Sequence, residues 1–245
     1  MNNEATVEKL GQMRLYGMLR AFKTTIAPEF KNNFTVDEFI AHLVESEWDD
    51  RYNRRLQRLI KQASFRYQAG LEEIIFTPAR NIDKNQILRF SDCNWIKKGE
   101  NIIITGATGT GKSFIASALG NCGCVNGFKV YYSNVLKIFS ELNYAKADGT
   151  YIKRMEKIKK MDLLIIDDFG LKSLDQNNRL ILLELIEDRH GLRSIIISSQ
   201  IPINKWHDVI GDSTIADAIC DRIVHNSYRI ELKGESMRIK KKKNS

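Results

Sequence analysis

Residues 102–113 read Ile-Ile-Ile-Thr-Gly-Ala-Thr-Gly-Thr-Gly-Lys-Ser. An apolar run that suits a buried strand ends in G-x-x-x-x-G-K-S, with Gly106, Gly111, Lys112 and Ser113 at the required spacing. The chemistry needs these residue types. Glycines at Gly106, Gly109 and Gly111 reach backbone conformations that side chains disfavour. They let successive N–H groups turn inward around phosphate oxygens. Lys112 then reaches the β- and γ-phosphates of ATP, and the Ser113 hydroxyl ligates Mg²⁺. The helix expected from Phe114 onward points its positive end at the same anion. Nucleotide contacts are therefore expected along the whole turn: Gly106, Ala107, Thr108, Gly109, Thr110, Gly111, Lys112, Ser113 and Phe114.

Leu163-Leu164-Ile165-Ile166-Asp167-Asp168 is the second chemical element: four apolar residues followed by two carboxylates. Such a run fits a strand buried on both faces of a parallel sheet. Its C-terminal end is where open α/β sheets bind ligands. Asp167 is expected to hold the Mg²⁺ shell and Asp168 to polarise the attacking water.

From Trp95 onward the pattern alternates strand and helix, with strands expected at 101–105, 129–132, 163–167, 194–198 and 228–232. That alternation argues a mainly parallel sheet covered on both faces. Residues 1–68 read as all-helical. Leu15, Met18, Leu19, Phe22 and Ile26 keep helical spacing, and Pro28 closes that segment. Thr35-Val36-Asp37-Glu38 is a capping box, after which Val36, Phe39, Ile40, Leu43 and Val44 line one helix face. Tyr52, Leu56, Leu59, Ile60 and Ala63 continue the apolar stripe. Arg51, Arg54, Arg55 and Arg58 share another face, and Lys61 and Arg66 extend the charge. Arginines so arranged suit phosphates along a duplex. Residues 69–95 read as a connection containing one short helix at 83–89. Two domains are thus expected, a helical DNA- or partner-binding region at 1–68 and an ATPase domain at 69–245.

Composition narrows the class further. No apolar run approaches the ~18 residues needed to cross a bilayer, and residues 1–10 carry Glu4 and Glu8 rather than a signal-peptide pattern. A cytoplasmic protein with no membrane partner is expected. Cys93, Cys122, Cys124 and Cys220 form no C-x-x-C pair, so reduced thiols are expected rather than a metal site. The net charge of +8 fits a nucleic-acid partner, although Lys240-Lys241-Lys242-Lys243 supply half of it. Asn204-Lys205 is followed by Trp206-His207, which leaves the guanine-reading N-K-x-D pattern incomplete.

With both phosphate motifs in hand, the chain resembles the IstB-like helper ATPases of insertion sequences and, less closely, the DnaC helicase loaders, all of the AAA+ class. The likeness rests on residues 106–113, 163–170, Ser198-Ser199-Gln200, the 214–222 stretch TIADAICDR, and Gly234-Glu235-Ser236-Met237-Arg238. It implies an α/β AAA+ P-loop NTPase with a five-stranded parallel sheet between helices, a small all-helical N-terminal domain and no C-terminal lid domain. It implies that Gln200 is the sensor between the acidic pair and the γ-phosphate. It implies that Arg222 is an arginine finger acting on a neighbouring subunit, with Arg189 and Arg229 as lesser candidates. Asp168 stands where many related ATPases carry Glu. Arg238 falls near a second sensor position, but its role stays open because few residues follow it. Between the second and third strands, the resemblance implies an added helix that faces nucleic acid, and Lys137, Lys146, Lys153 and Arg154 lie there. The function implied is a transposition helper: a homo-oligomer with ATP and Mg²⁺ between subunits, bound to duplex DNA through its backbone, which recruits or regulates a transposase. A replicative helicase loader is the alternative.

Overall fold

The computed structural model describes residues 3–27 and 34–237. The chain divides into two compact units, Met1–Arg58 and Leu59–Ser245. Sequence reasoning drew the division at residue 68. The structure draws it ten residues earlier, because Leu59, Ala63 and Ala69 are buried, the Phe65 ring lies edge-on to Tyr132 and the Tyr67 ring lies tilted against Phe114.

Three helices build the first region: α1 (Asn3–Gln12), α2 (Tyr16–Thr25) and α3 (Val36–Ala63), whose last turn runs into the second unit. The capping box forms as expected. The Glu38 N–H donates to Thr35 Oγ1 and the Thr35 N–H donates back to Glu38 Oε2. Helix α2 starts against α3 at Gly17, where an added Cβ would lie 2.2 Å from the Ser46 carbonyl oxygen. The buried Glu47 carboxylate accepts the Gly17 N–H at 2.8 Å and the Met18 N–H at 3.3 Å. An acid in this place satisfies donors that a helix start leaves unpaired. The expected apolar stripe is only partly internal. Val36, Ile40, Val44, Trp48 and Tyr52 are all exposed, so at this spacing the pattern marks an uncovered helix face. Pro28 lies outside the described residues.

The second unit opens with the short helices α4 (Lys84–Arg89) and α5 (Asn94–Lys97). Then β1 (Asn101–Gly106), α6 (Lys112–Val125), β2 (Val130–Asn134), α7 (Val135–Ala147), α8 (Tyr151–Lys159) and β3 (Leu163–Phe169) follow. The chain continues through α9 (Gln176–Glu187), β4 (Ser194–Ser199), α10 (Trp206–Ile210), α11 (Ser213–Val224) and β5 (Ser227–Leu232). All strand pairs are parallel, in the order β2-β3-β4-β1-β5. This is the five-stranded α/β architecture expected. Strand residues alternate between two cores. Ile103, Leu164, Ile166, Ile195 and Ile197 pack with residues of α7 to α11. Ile165 and Leu163 face α6, where Gly120 and Gly123 let the helix approach closely.

Because every strand runs the same way, β1, β3 and β4 end at one edge, and the functional residues collect there. The β3–β4 register breaks between Ile166 and Phe169. Asp168 sits in that break with φ +60°, a left-handed conformation that Asp tolerates better than most residues.

Candidate active site

The turn between β1 and α6 has the geometry its glycines require. Gly106, Gly109 and Gly111 have φ of 146°, 83° and 97°. Packing excludes side chains there as well: a Cβ on Gly106 would lie 2.5 Å from the Leu232 carbonyl oxygen. Lys112, the first residue of α6, is buried, and its Nζ donates to the Gly106 and Ala107 carbonyls at 2.8 and 2.9 Å. Helix α6 aims its N-terminal dipole at the same turn.

Asp167 is fully buried at the end of β3. A carboxylate in such a place must be hydrogen-bonded. Its Oδ1 accepts from Ser113 Oγ at 3.0 Å and from Ser198 Oγ, while Oδ2 accepts from the Tyr132 hydroxyl. Burial and this bond push the Tyr132 pKa well above the ordinary tyrosine range. Asp168 accepts from Asn134 Nδ2 at 2.9 Å, and Asn134 also accepts the Leu136 N–H, tying the acid to the start of α7. The Arg66 guanidinium bridges both acids, 3.0 Å from Asp168 Oδ2 and 3.5 Å from Asp167 Oδ2. Gln200, just past β4, accepts from Thr108 Oγ1 at 2.7 Å, so it touches the phosphate turn directly.

A cavity of about 640 Å³ opens here, bounded by Arg66, Tyr67, Ile75, Arg80, the 108–114 turn, Asp168, Gln200 and Met237. It is ample for a nucleotide. Arg80 is buried in its wall and donates to the Thr110 carbonyl at 2.8 Å, and burial lowers its pKa. The Gly234-Glu235-Ser236-Met237 stretch lies over the turn, with the Met237 N–H donating to the Gly109 carbonyl at 2.9 Å. Arg238 and Lys240 to Lys243 lie outside the described residues. Among the described residues, no group of three or more His, Cys, Asp or Glu could hold a metal ion unaided. Ser113 and Asp167 supply two hard oxygen donors and leave the remaining positions open. That suits Mg²⁺, which is usually held by one or two protein oxygens together with substrate phosphates and water.

Several expected site residues lie elsewhere. Arg222 is in the last turn of α11, with Nη2 2.8 Å from Glu187 Oε1 and Nη1 donating to the Ala218 carbonyl. Ser227, which opens β5, pairs with Asn101, which opens β1. Arg222 therefore lies at the edge of the sheet opposite the phosphate turn, about 20 Å away along six strand residues. Arg189 is 1% exposed and donates to the Ile158, Asp162 and Ser194 carbonyls. Burial pushes its pKa down to about 9. It holds strand beginnings together inside the domain, which removes it from the list of finger candidates.

The arginine face of α3 is less free than its spacing suggests. Arg51 and Arg54 pair with Glu47, and Arg54 also pairs with Asp50 and lies 5.2 Å over the Tyr16 ring. Arg55, Arg58 and Lys61 are exposed. Of the residues on α7 and α8, Lys137 is 4.0 Å from Glu141, Lys146 donates to Asn177, and Lys153 and Arg154 are exposed. Sequence reasoning placed Arg66 on the basic face of the N-terminal region, whereas the structure seats it on Asp167 and Asp168, and it did not single out Arg80, Tyr132 or Asn134. Only β-register and chain reversal bring them to the site, although a polar residue ending β2 opposite Asp167 was a usable signal.

The family described as IstB-like ATP binding protein matches residues 8–245. The insertion sequence ATP-binding protein y4pL of Sinorhizobium fredii (strain NBRC 101917 / NGR234) is 39% identical over 240 residues, 98% of each chain. The crystal structure of the DnaC helicase loader aligns with a TM-score of 0.59 at 18% identity, covering 68% of this chain and 98% of that one. The replication initiator DnaA bound to AMPPCP and single-stranded DNA aligns with a TM-score of 0.60 at 21% identity, covering 74% and 56%. Among the described residues, no helix is long and apolar enough to cross a membrane.

Proposed function

The chain belongs to the IstB-like ATP-binding protein family, and from that premise we propose that it is a Mg²⁺-dependent ATPase of transposition. ATP assembles copies of it on duplex DNA, and hydrolysis between subunits times the engagement of a transposase. The observation that carries this reading is the meeting of Lys112, Ser113 and Asp167 at one sheet edge, with Asp168 and Gln200 beside them. The insertion-sequence origin of the relative y4pL supports the setting in transposition.

Each residue then has a task. The ammonium of Lys112 exchanges the Gly106 and Ala107 carbonyls for β- and γ-phosphate oxygens. Ser113 and Asp167 would hold Mg²⁺, which would supply charge neutralisation on those oxygens. Asp168, oriented by Asn134, accepts a hydrogen bond from the attacking water and lines it up with the γ-phosphate. Gln200 contacts the γ-phosphate while linked to Thr108. Arg222, too far from its own site, completes the site of a neighbouring subunit. Arg55, Arg58 and Lys61 on α3, with Lys153 and Arg154 on α8, meet DNA phosphates without reading bases.

Calorimetric titration of ATP with Mg²⁺ tests the core of the proposal. Lys112→Ala is expected to weaken ATP by about 10²-fold or more, the scale of losing a charge-assisted phosphate contact. Unchanged affinity in this variant refutes the nucleotide site.

A further inference from the structure

Arg66 is a cation already seated on the carboxylates that the proposed reaction assigns to metal and water. Its Nη1 is 3.0 Å from Asp168 Oδ2 and 3.5 Å from Asp167 Oδ2. Two features make it a movable occupant rather than a fixed brace. Its backbone is pinned on both sides: the Phe65 ring packs 6.3 Å from Tyr132 and against Gly120, and the Tyr67 ring lies 6.1 Å from Phe114. Its own side chain is 41% exposed and lines the same cavity as Lys112, Ser113 and Gln200. The head can therefore swing within the cavity while its attachment stays put.

A guanidinium and a divalent cation cannot both neutralise this acidic pair at contact distance, because like charges a few ångströms apart repel. We propose that Arg66 and Mg²⁺ compete for Asp167 and Asp168, so that Arg66 is a positioning residue that sets how much metal is needed to open the site. With metal bound, the guanidinium would leave the carboxylates for the other polar surface of the cavity, which includes Gln68, Glu73, Thr108 and Gln200. Arg66 follows α3 by three residues and lies within the second unit. The inference rests on the nucleotide-site reading above.

Mn²⁺ serves as the probe, titrated into the full-length chain saturated with ADP and followed by the loss of the free-ion electron paramagnetic resonance signal. Arg66→Ala is expected to tighten Mn²⁺ about five-fold, the upper range for a partly exposed ion pair. Arg66→Lys, which keeps a cation, is expected to stay near wild type, and Arg66→Gln to follow the alanine variant. If the alanine variant does not fold, Lys against Gln carries the same comparison. Mn²⁺ affinity that is unchanged or weaker without the arginine overturns the competition. ADP-dependent Mn²⁺ binding absent from wild type and variants alike instead overturns the nucleotide-site reading, and the competition falls with it.

Discussion

Replacing Arg222 with Ala separates two roles that differ greatly in size. Within one chain, Arg222 makes a salt bridge to Glu187, with the two side chains 29% and 49% exposed. A pair that open to water contributes about 0.5–1 kcal/mol, so the variant should fold and keep ATP affinity. A finger acting in trans contributes ~10³–10⁵ in rate, about 4–7 kcal/mol of barrier. The two expectations lie far enough apart that one steady-state phosphate-release assay decides between them. Glu187→Gln is the control, since it breaks the same bridge and leaves the arginine in place; it should hydrolyse ATP normally. Mixing Arg222→Ala with Asp168→Asn chains should restore part of the activity, because one kind of interface then joins an intact acid to an intact arginine. Normal turnover by Arg222→Ala alone refutes the reasoning and moves the search to Arg229.

Other outcomes follow from the same geometry. Arg189→Met should lower thermal stability by about 1–3 kcal/mol without affecting hydrolysis, since the Ile158, Asp162 and Ser194 carbonyls lose a buried donor while the volume is kept. Arg189→Ala should lower stability, and both are read by calorimetric melting. Burial opposes ionisation of Glu47, but Arg51 and the Met18 and Gly17 N–H groups hold its pKa below the ordinary 4.5. Its contribution is therefore complete above pH 4.5 and disappears as pH falls through the lowered value. Hydrogen exchange at Gly17 and Met18 should accelerate in that window, and in Glu47→Gln already at neutral pH. DNA affinity should fall on the order of 10³-fold between 50 and 200 mM salt if about six phosphates are contacted. Arg58→Glu should weaken binding and flatten that slope; a flat slope in the wild type would leave the basic face merely solvated.

β1, β3 and β4 were legible because parallel, doubly covered β-structure demands apolar runs, whereas β2 and β5 followed from the strand–helix alternation; all five begin within a residue of the expected positions. The phosphate turn was legible because only glycine fits its three positive-φ positions. What escaped depends on register. Asn134 is a polar residue ending β2, but only the β2–β3 register puts it beside Asp167, and nothing local tells Arg66 that its chain will return to β3. The conformation of Asp168 was hidden for the same reason, since a break in β3–β4 pairing belongs to two strands at once. On α3, periodicity located the arginines, but the burial of Glu47 decided which of them were already occupied. The same periodicity could not tell an internal apolar stripe from the uncovered one it turned out to be.

The order β2-β3-β4-β1-β5 also constrains how the protein is made. The strand that carries the phosphate turn is the first of the five to be synthesised, yet both of its neighbours come late, at Ser194–Ser199 and Ser227–Leu232. Until the ribosome has released those segments, β1 is an apolar ribbon with two open hydrogen-bonding edges, a hazard for association with other chains. A product truncated by premature termination or a shifted reading frame before Ser227 would leave one edge of β1 permanently unpaired. Nucleotide binding thus comes only once Ser227–Leu232 has been made, and ATP cannot rescue a chain cut before it.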